Sequence, residues 1–189
     1  MSLRRFPRRT LRGDRVIHRI HRTANGPWWF SANGRGRFDP VGTPLGVCYL
    51  AERPIGAWVE VFRKRMLLHE AEVLERSLFS AALGRDLRLA DLTSRRALGF
   101  GVTSSLGAGD RYDEAQAFAS DAANAGFDGI RYLVRHDPSQ QLYGLALFGQ
   151  AGAPDPSDAA WPRNDDAPIP GELVGEAARS FGYRVLPGP

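Results

Sequence analysis

Lysine is almost missing from this sequence: Lys64 is the only one, and the rest of the 25 basic residues are arginines. So uniform a replacement reads as a bias of the coding genome at least as much as a choice of chemistry. The net charge of +4 favours anionic partners without choosing among phosphates, acidic proteins and nucleic acid. Cysteine is equally scarce. Cys48 stands alone, so no internal disulfide forms and the fold does not depend on an oxidising compartment. No apolar run approaches the roughly 18 to 20 residues of a membrane helix, and no apolar segment follows the arginine-rich N-terminus. The protein is therefore expected to be cytoplasmic and free of the membrane. Two nucleotide motifs are also absent. The segment 99–111 lacks the third glycine of G-x-G-x-x-G, and no Gly-Lys-Ser/Thr ending is present. With 189 residues, 43% of them hydrophobic, the chain suits one domain with a substantial core.

Residues 1–12 contain five arginines, no acid and no apolar period, and 1–13 is read as a mobile basic arm. A solvated terminus is the first reading and a nucleic-acid tail the second. Val16, Ile17 and Ile20 give 15–22 the character of a first strand, with Ile17 and Arg19 on one face and Val16, His18 and Ile20 on the other. His18 and His21 then point to opposite faces and have no supporting ligand at a suitable spacing, so no metal site is expected. Asn25-Gly26-Pro27 marks a turn. Trp28, Trp29 and Phe30 after it are read first as core packing and second as a cleft wall.

The stretch 34–60 organises the rest. Gly34, Arg35, Gly36 and Arg37 form a loop on which small residues let backbone amides and Arg37 come close to a phosphate. A strand at 47–51 follows, with Cys48 and Tyr49 facing opposite ways and Cys48 an inert core thiol. Pro54 opens a helix expected to run to about 68, with Ile55, Val59 and Phe62 inward and Arg63, Lys64 and Arg65 near its C-terminal end. Glu60 interrupts its apolar first half. Either it pairs with Lys64 one turn on, for about 0.2 to 0.5 kcal/mol, or it is a catalytic carboxylate. Arginines beside glycines, an aromatic ring at a strand end and a carboxylate on a helix together suit a dinucleotide.

Further on, strands are expected at 74–83, 87–92, 130–134 and 142–148. A short helix is expected at 94–98, and a longer one at 112–125 that buries Ala115, Phe118, Ala119 and Ala122 and stops at Gly126. That order implies an α+β domain of mainly antiparallel sheet with flanking helices, over 14–149. Residues 150–189 are read as a Pro/Asp-rich connector followed by a helix at 171–181 and a short strand or tail.

Taken in order, H-R-I at 18–20, G-R-F-D at 36–39, Y-L-A at 49–51, A-x-x-E at 57–60, G-F-D-G-I from Gly126 and L-A-L-F at 145–148 resemble the RES domain family. Its members are NAD-degrading toxins of bacterial toxin–antitoxin modules. The resemblance implies a single domain similar to ADP-ribosyltransferase toxins and an enzyme that cleaves NAD at the nicotinamide–ribose bond, as glycohydrolase or phosphorylase. It places Arg19, Arg37, Tyr49 and Glu60 around NAD, with Glu60, Arg19 and Tyr49 in catalysis. NAD is then a substrate, no permanent cofactor or metal is needed, and phosphate is a possible acceptor. An Xre-type helix-turn-helix antitoxin is the implied protein partner, with nucleic acid reached only through it. One position departs: where many members carry a serine, this chain has Val134. A nearby hydroxyl replaces it, or the substrate is held differently, or activity is weak. The alternatives to NAD cleavage are mono-ADP-ribosyl transfer to a macromolecule and a non-catalytic basic module that binds nucleic acid or protein.

Overall fold

The computed structural model describes residues 3–163 and 166–188. Its strands are β1 (Arg8–Leu11), β2 (Val16–Arg22), β3 (Leu45–Ala51), β4 (Leu67–His69), β5 (Arg76–Ala82), β6 (Leu87–Asp91), β7 (Gly129–Leu133), β8 (Tyr143–Gln150), β9 (Asp166–Pro168) and β10 (Arg184–Leu186). The helices are α1 (Pro54–Phe62), α2 (Glu70–Leu74), α3 (Ser104–Ala108), α4 (Tyr112–Asn124) and α5 (Gly171–Phe181). Eight strands form one sheet in the order β1-β6-β7-β8-β3-β2-β5-β9, antiparallel except at β6–β7, and β4 pairs with β10 in a separate parallel ribbon. This is the α+β architecture expected from the sequence.

The centre of that sheet is nearly split. β3 pairs with β8 over seven residues and β2 with β5 over seven, but β2 and β3 share one register pair, His18↔Ala51. Helices cover one face. α4 lays Ala115, Phe118, Ala119 and Ala122 on β7 and β8, the four residues that its period selects. α1 and α5 cover the other half, where Trp58, Phe62, Leu173 and Ala177 pack together. On the opposite face Trp28 and Phe30 pack with Trp161 at ring-centroid distances of 4.9 and 4.7 Å. Trp29 is exposed.

Four segments differ from their sequence reading. Residues 1–13 are not a mobile arm as far as they are described: Leu3 and Phe6 are buried in the α4 core, and β1 pairs with β6 from Arg8↔Ala90 to Leu11↔Leu87. The adjacent Arg8 and Arg9 hide that strand from pattern reading, because an edge strand needs few apolar residues. α1 stops at Phe62 rather than 68, since Arg63 turns to φ 52° and Tyr183 Oη donates to its carbonyl at 2.6 Å. Residues 67–69 are free to become β4. Residues 70–74, whose latter end was expected to open a strand, form α2. In the C-terminal part Trp161 caps the aromatic face and β9 extends the sheet beside β5, so the folded unit continues past 149.

Phe6 gives the arm a direct test. With Phe6 buried against Phe100 and Phe118 at 5.2 and 5.1 Å, Phe6→Ala should lower the urea unfolding free energy by about 3–5 kcal/mol. A mobile arm would leave the midpoint unchanged.

Candidate active site

The near-split of the sheet opens a cavity of about 740 Å³. Its walls come from β2 (Arg19, Ile20), the loop before β3 (Arg37), β3 (Tyr49), α1 (Glu60) and β7 (Tyr132). All four residues singled out by sequence, Arg19, Arg37, Tyr49 and Glu60, line this one cavity.

Glu60 reaches it because α1 is fixed at both ends. At the start, Pro54 occupies the first turn, and Glu52 just before it receives Arg131 Nε at 2.6 Å. Arg131 is itself buried, with Tyr143 stacked at 3.6 Å and Thr93 Oγ1 at 2.6 Å. At the far end stands the Arg63 turn. Between them Ile55, Trp58, Val59 and Phe62 are buried, which leaves Glu60 turned to the cavity. The expected Glu60–Lys64 pair is not among the ion pairs of the described residues, since Lys64 lies beyond the helix. Burial pushes the Glu60 carboxyl above its ordinary value, and the nearby Tyr132 phenol and the charges of Arg63 and Arg37 oppose this.

Arg37 is 8% exposed yet incompletely paired. Its Nη1 donates to Leu106 O at 3.4 Å, its guanidinium lies 4.6 Å over the Tyr112 ring, and Nη2 is buried without a partner among the described residues. Burial lowers its pKa, with Tyr112, Tyr49 and Glu60 offsetting the effect and Arg135 adding to it. A buried, unpaired N–H on a guanidinium is a ready anion donor. Arg19 donates to Pro27 O from the other wall.

The loop that carries Arg37 is held by Tyr49. Phe38 N donates to Tyr49 Oη at 2.8 Å, and Gly36 N donates to Asp39 Oδ2 at 3.1 Å. Burial raises the Tyr49 pKa, so its phenol stays neutral. Gly36 is required by space: a Cβ there would lie 2.1 Å from Asp39 Oδ1 and 2.8 Å from Tyr49 Oη. Cys48 points the other way into the opposite core, where burial raises its thiol pKa.

Sequence reading missed part of the lining. Arg63, Lys64 and Arg65, taken as partners of a helix dipole, line the cavity, as do Arg35 and Arg135. With Arg19 and Arg37 they make seven cationic side chains around one carboxylate, Glu60, among the described residues. Tyr132 was also missed, although strand alternation from Ile130 places it on the helix-covered face. Val134 is buried in the apolar core under α1 and α5 and does not line the cavity. His18 Nδ1 meets Ser80 Oγ at 2.8 Å and His21 Nε2 meets Asp166 at 3.0 Å. No metal-competent cluster of His, Cys, Asp or Glu occurs among the described residues, and none of their helices is long and apolar enough to cross a membrane.

A split α+β sheet with an electropositive cavity and one carboxylate inside it defines a class of anion-attracting domain. More narrowly, the chain belongs to the RES domain family, whose model matches residues 16–179. Its fold is similar to that of a chain in the crystal structure of the M. tuberculosis MbcT–MbcA toxin–antitoxin complex, with a TM-score of 0.65 and 18% identity over 90% of this chain and 92% of that one. No curated protein matches the chain.

The Gly36 loop predicts its own sensitivity. Gly36→Ala should break the Phe38–Tyr49 hydrogen bond, and amide exchange at Phe38 should quicken by about tenfold or more, the loss of roughly 1.4 kcal/mol of local protection.

Proposed function

We propose that this protein is a toxin-like enzyme that consumes NAD by cleaving the bond between nicotinamide and ribose. One observation carries the reading: a single half-buried carboxylate stands among seven cations and three phenols in a cavity large enough for much of a dinucleotide. In this reading Arg37 and Arg19 hold the pyrophosphate and ribose oxygens. Tyr49 stacks against nicotinamide or its ribose, and Glu60 orients the ribose hydroxyls.

The chemistry follows from charge. Nicotinamide leaves with the electrons of the C1′–N1 bond, which cancel the positive charge on its ring, so the leaving group needs no acid. The sugar becomes oxocarbenium-like. In this reading Glu60 stabilises that cation, and the desolvation of the carboxylate strengthens the attraction. Water or phosphate then attacks C1′ and loses a proton, giving ADP-ribose or its 1-phosphate. The neighbouring reading, ADP-ribosyl transfer to a macromolecule, shares every step but the acceptor. Labelled NAD separates them: label on protein or nucleic acid means transfer, and free ADP-ribose or its phosphate means breakdown. The nucleic-acid module is less favoured, because part of its supposed arm is a paired strand.

A protein antitoxin fits as partner, since the similar fold belongs to a toxin–antitoxin complex and the cavity would attract an acidic segment. The helix-turn-helix class of that partner rests on the family resemblance.

Glu60→Gln tests both the mechanism and its cost. Nicotinamide release from NAD should fall by about 10²-fold or more, and undiminished release would reject the role. The folded state raises the Glu60 pKa, so the ionised carboxylate destabilises the fold above its unfolded pKa. Glu60→Gln should therefore melt at higher temperature than wild type at pH 7, and the difference should vanish as the pH falls below the ordinary glutamate pKa of about 4.3. Wild-type activity should decline towards acid along a limb centred above that value.

A further inference from the structure

Tyr132 has a hydroxyl that packing alone does not explain. The residue is 3% exposed in the α4 core, its ring 5.0 Å from that of Phe38, and phenylalanine would fill the same space without burying a polar group. The chain also makes room for it. Gly144 pairs directly with Tyr132 across β7 and β8, and a Cβ at Gly144 would lie 2.3 Å from Tyr132 Cζ and 2.6 Å from its Oη. A glycine within a strand weakens it, and here that glycine lets the ring lie across β8 with its oxygen directed at the cavity. The oxygen is buried and meets no partner at full hydrogen-bond geometry. Glu60 lines the same cavity, and each of the two groups bears on the ionisation of the other. Catalytic hydrogen bonds are commonly long before substrate binds and tighten in the complex.

The geometry points to Tyr132 as the positioning residue for Glu60: its phenol O–H donates to the carboxylate and fixes the rotamer and the oxygen that Glu60 presents to the sugar. This rests on the NAD-cleavage reading for its consequence, though not for the contact itself. The other groups that bear on Glu60 are Arg63 from the end of α1, Arg37 from the loop before β3 and Tyr49 from β3, with Lys64 and Arg135 on the same cavity wall. Of these only Tyr132 and Tyr49 are neutral donors; Tyr49 Oη is tied to the loop through Phe38 N, whereas the buried Tyr132 hydroxyl has no other partner among the described residues. A donor to the ionised form lowers the carboxyl pKa, so its removal must raise it.

The test is Tyr132→Phe in the full chain, read in two ways. Carbon-13 NMR of glutamate-labelled protein should show Glu60 titrating at higher pH in the variant, with the melting temperature preserved. In nicotinamide release from NAD, kcat should fall while KM changes less than about threefold, and the acid limb should move to higher pH, each unit of movement representing about a tenfold loss of ionised Glu60 on the acid side. Gly144→Ala, which displaces the ring, should move the limb in the same direction and add little to Tyr132→Phe in the double variant. Identical Glu60 titration in wild type and Tyr132→Phe overturns the assignment. Loss of release with an unmoved acid limb and a raised KM also overturns it, since that is the mark of a misshapen cavity. If wild type releases no nicotinamide, the NAD reading falls, while the NMR titration still decides the contact.

Discussion

The site depends on two central strands that almost fail to pair. β2 and β3 run antiparallel yet share one register pair, so the sheet is fastened at His18↔Ala51 and diverges from there. Unpaired strand backbone is tolerated only where something else occupies the gap. Here the occupants are side chains: Arg19 and Ile20 from one strand, Tyr49 and Leu50 from the other, around a cavity deep enough to reach α1. The long pairings of β3 with β8 and of β2 with β5 keep the two halves rigid on either side. Cross-sheet stability is thereby supplied by the flanks, and the centre is released for binding.

That arrangement accounts for the electrostatics of Glu60. A desolvated carboxylate on an otherwise apolar helix is disfavoured as an anion, and its neighbours only partly reverse this. Seven cations around the cavity look excessive for one glutamate, but most lie at a rim where water screens them, whereas the desolvation acts on the carboxylate directly. The result is a half-buried carboxylate whose charge is disfavoured and a surrounding field that favours an anionic ligand. Arg37 bears the same mark, since it is buried, stacked on Tyr112, and keeps one N–H unpaired. Groups left short of partners in this way concentrate where a ligand completes the set.

Much of this was legible from sequence, and the limits have physical reasons. The α4 face could be read because four buried residues follow a strict helical period. Tyr49 and Cys48 could be assigned to opposite faces because a strand alternates without exception. The end of α1 could not be read: arginine and lysine are good helix formers, and the turn at Arg63 is imposed from 120 residues away by Tyr183. For the same reason Arg63, Lys64 and Arg65 were assigned to the helix dipole rather than the cavity. β1 was hidden by its own arginines, since an edge strand shows its polar side chains to water on both faces. Sequence order and spacing gathered the residues of the cavity, while tertiary contacts decided which cations joined them.

Val134, where the family resemblance implies a serine, lies in the apolar core and outside the cavity lining. Just past β7, Val134 is buried with Leu142 and the apolar side chains of α1, whereas Tyr132 before it and Arg135 after it line the cavity. A serine at 134 would have to bury its hydroxyl among those apolar groups or turn it back towards Glu60. Valine removes that demand, and the pocket there becomes wholly apolar. The hydroxyl that β7 offers is two residues earlier, on Tyr132, which lines the cavity together with Glu60. A phenol on a ring wedged between Phe38 and Gly144 has less rotational freedom than a serine Oγ. Under the positioning role proposed for Tyr132, Glu60 has a donor that requires no serine at 134.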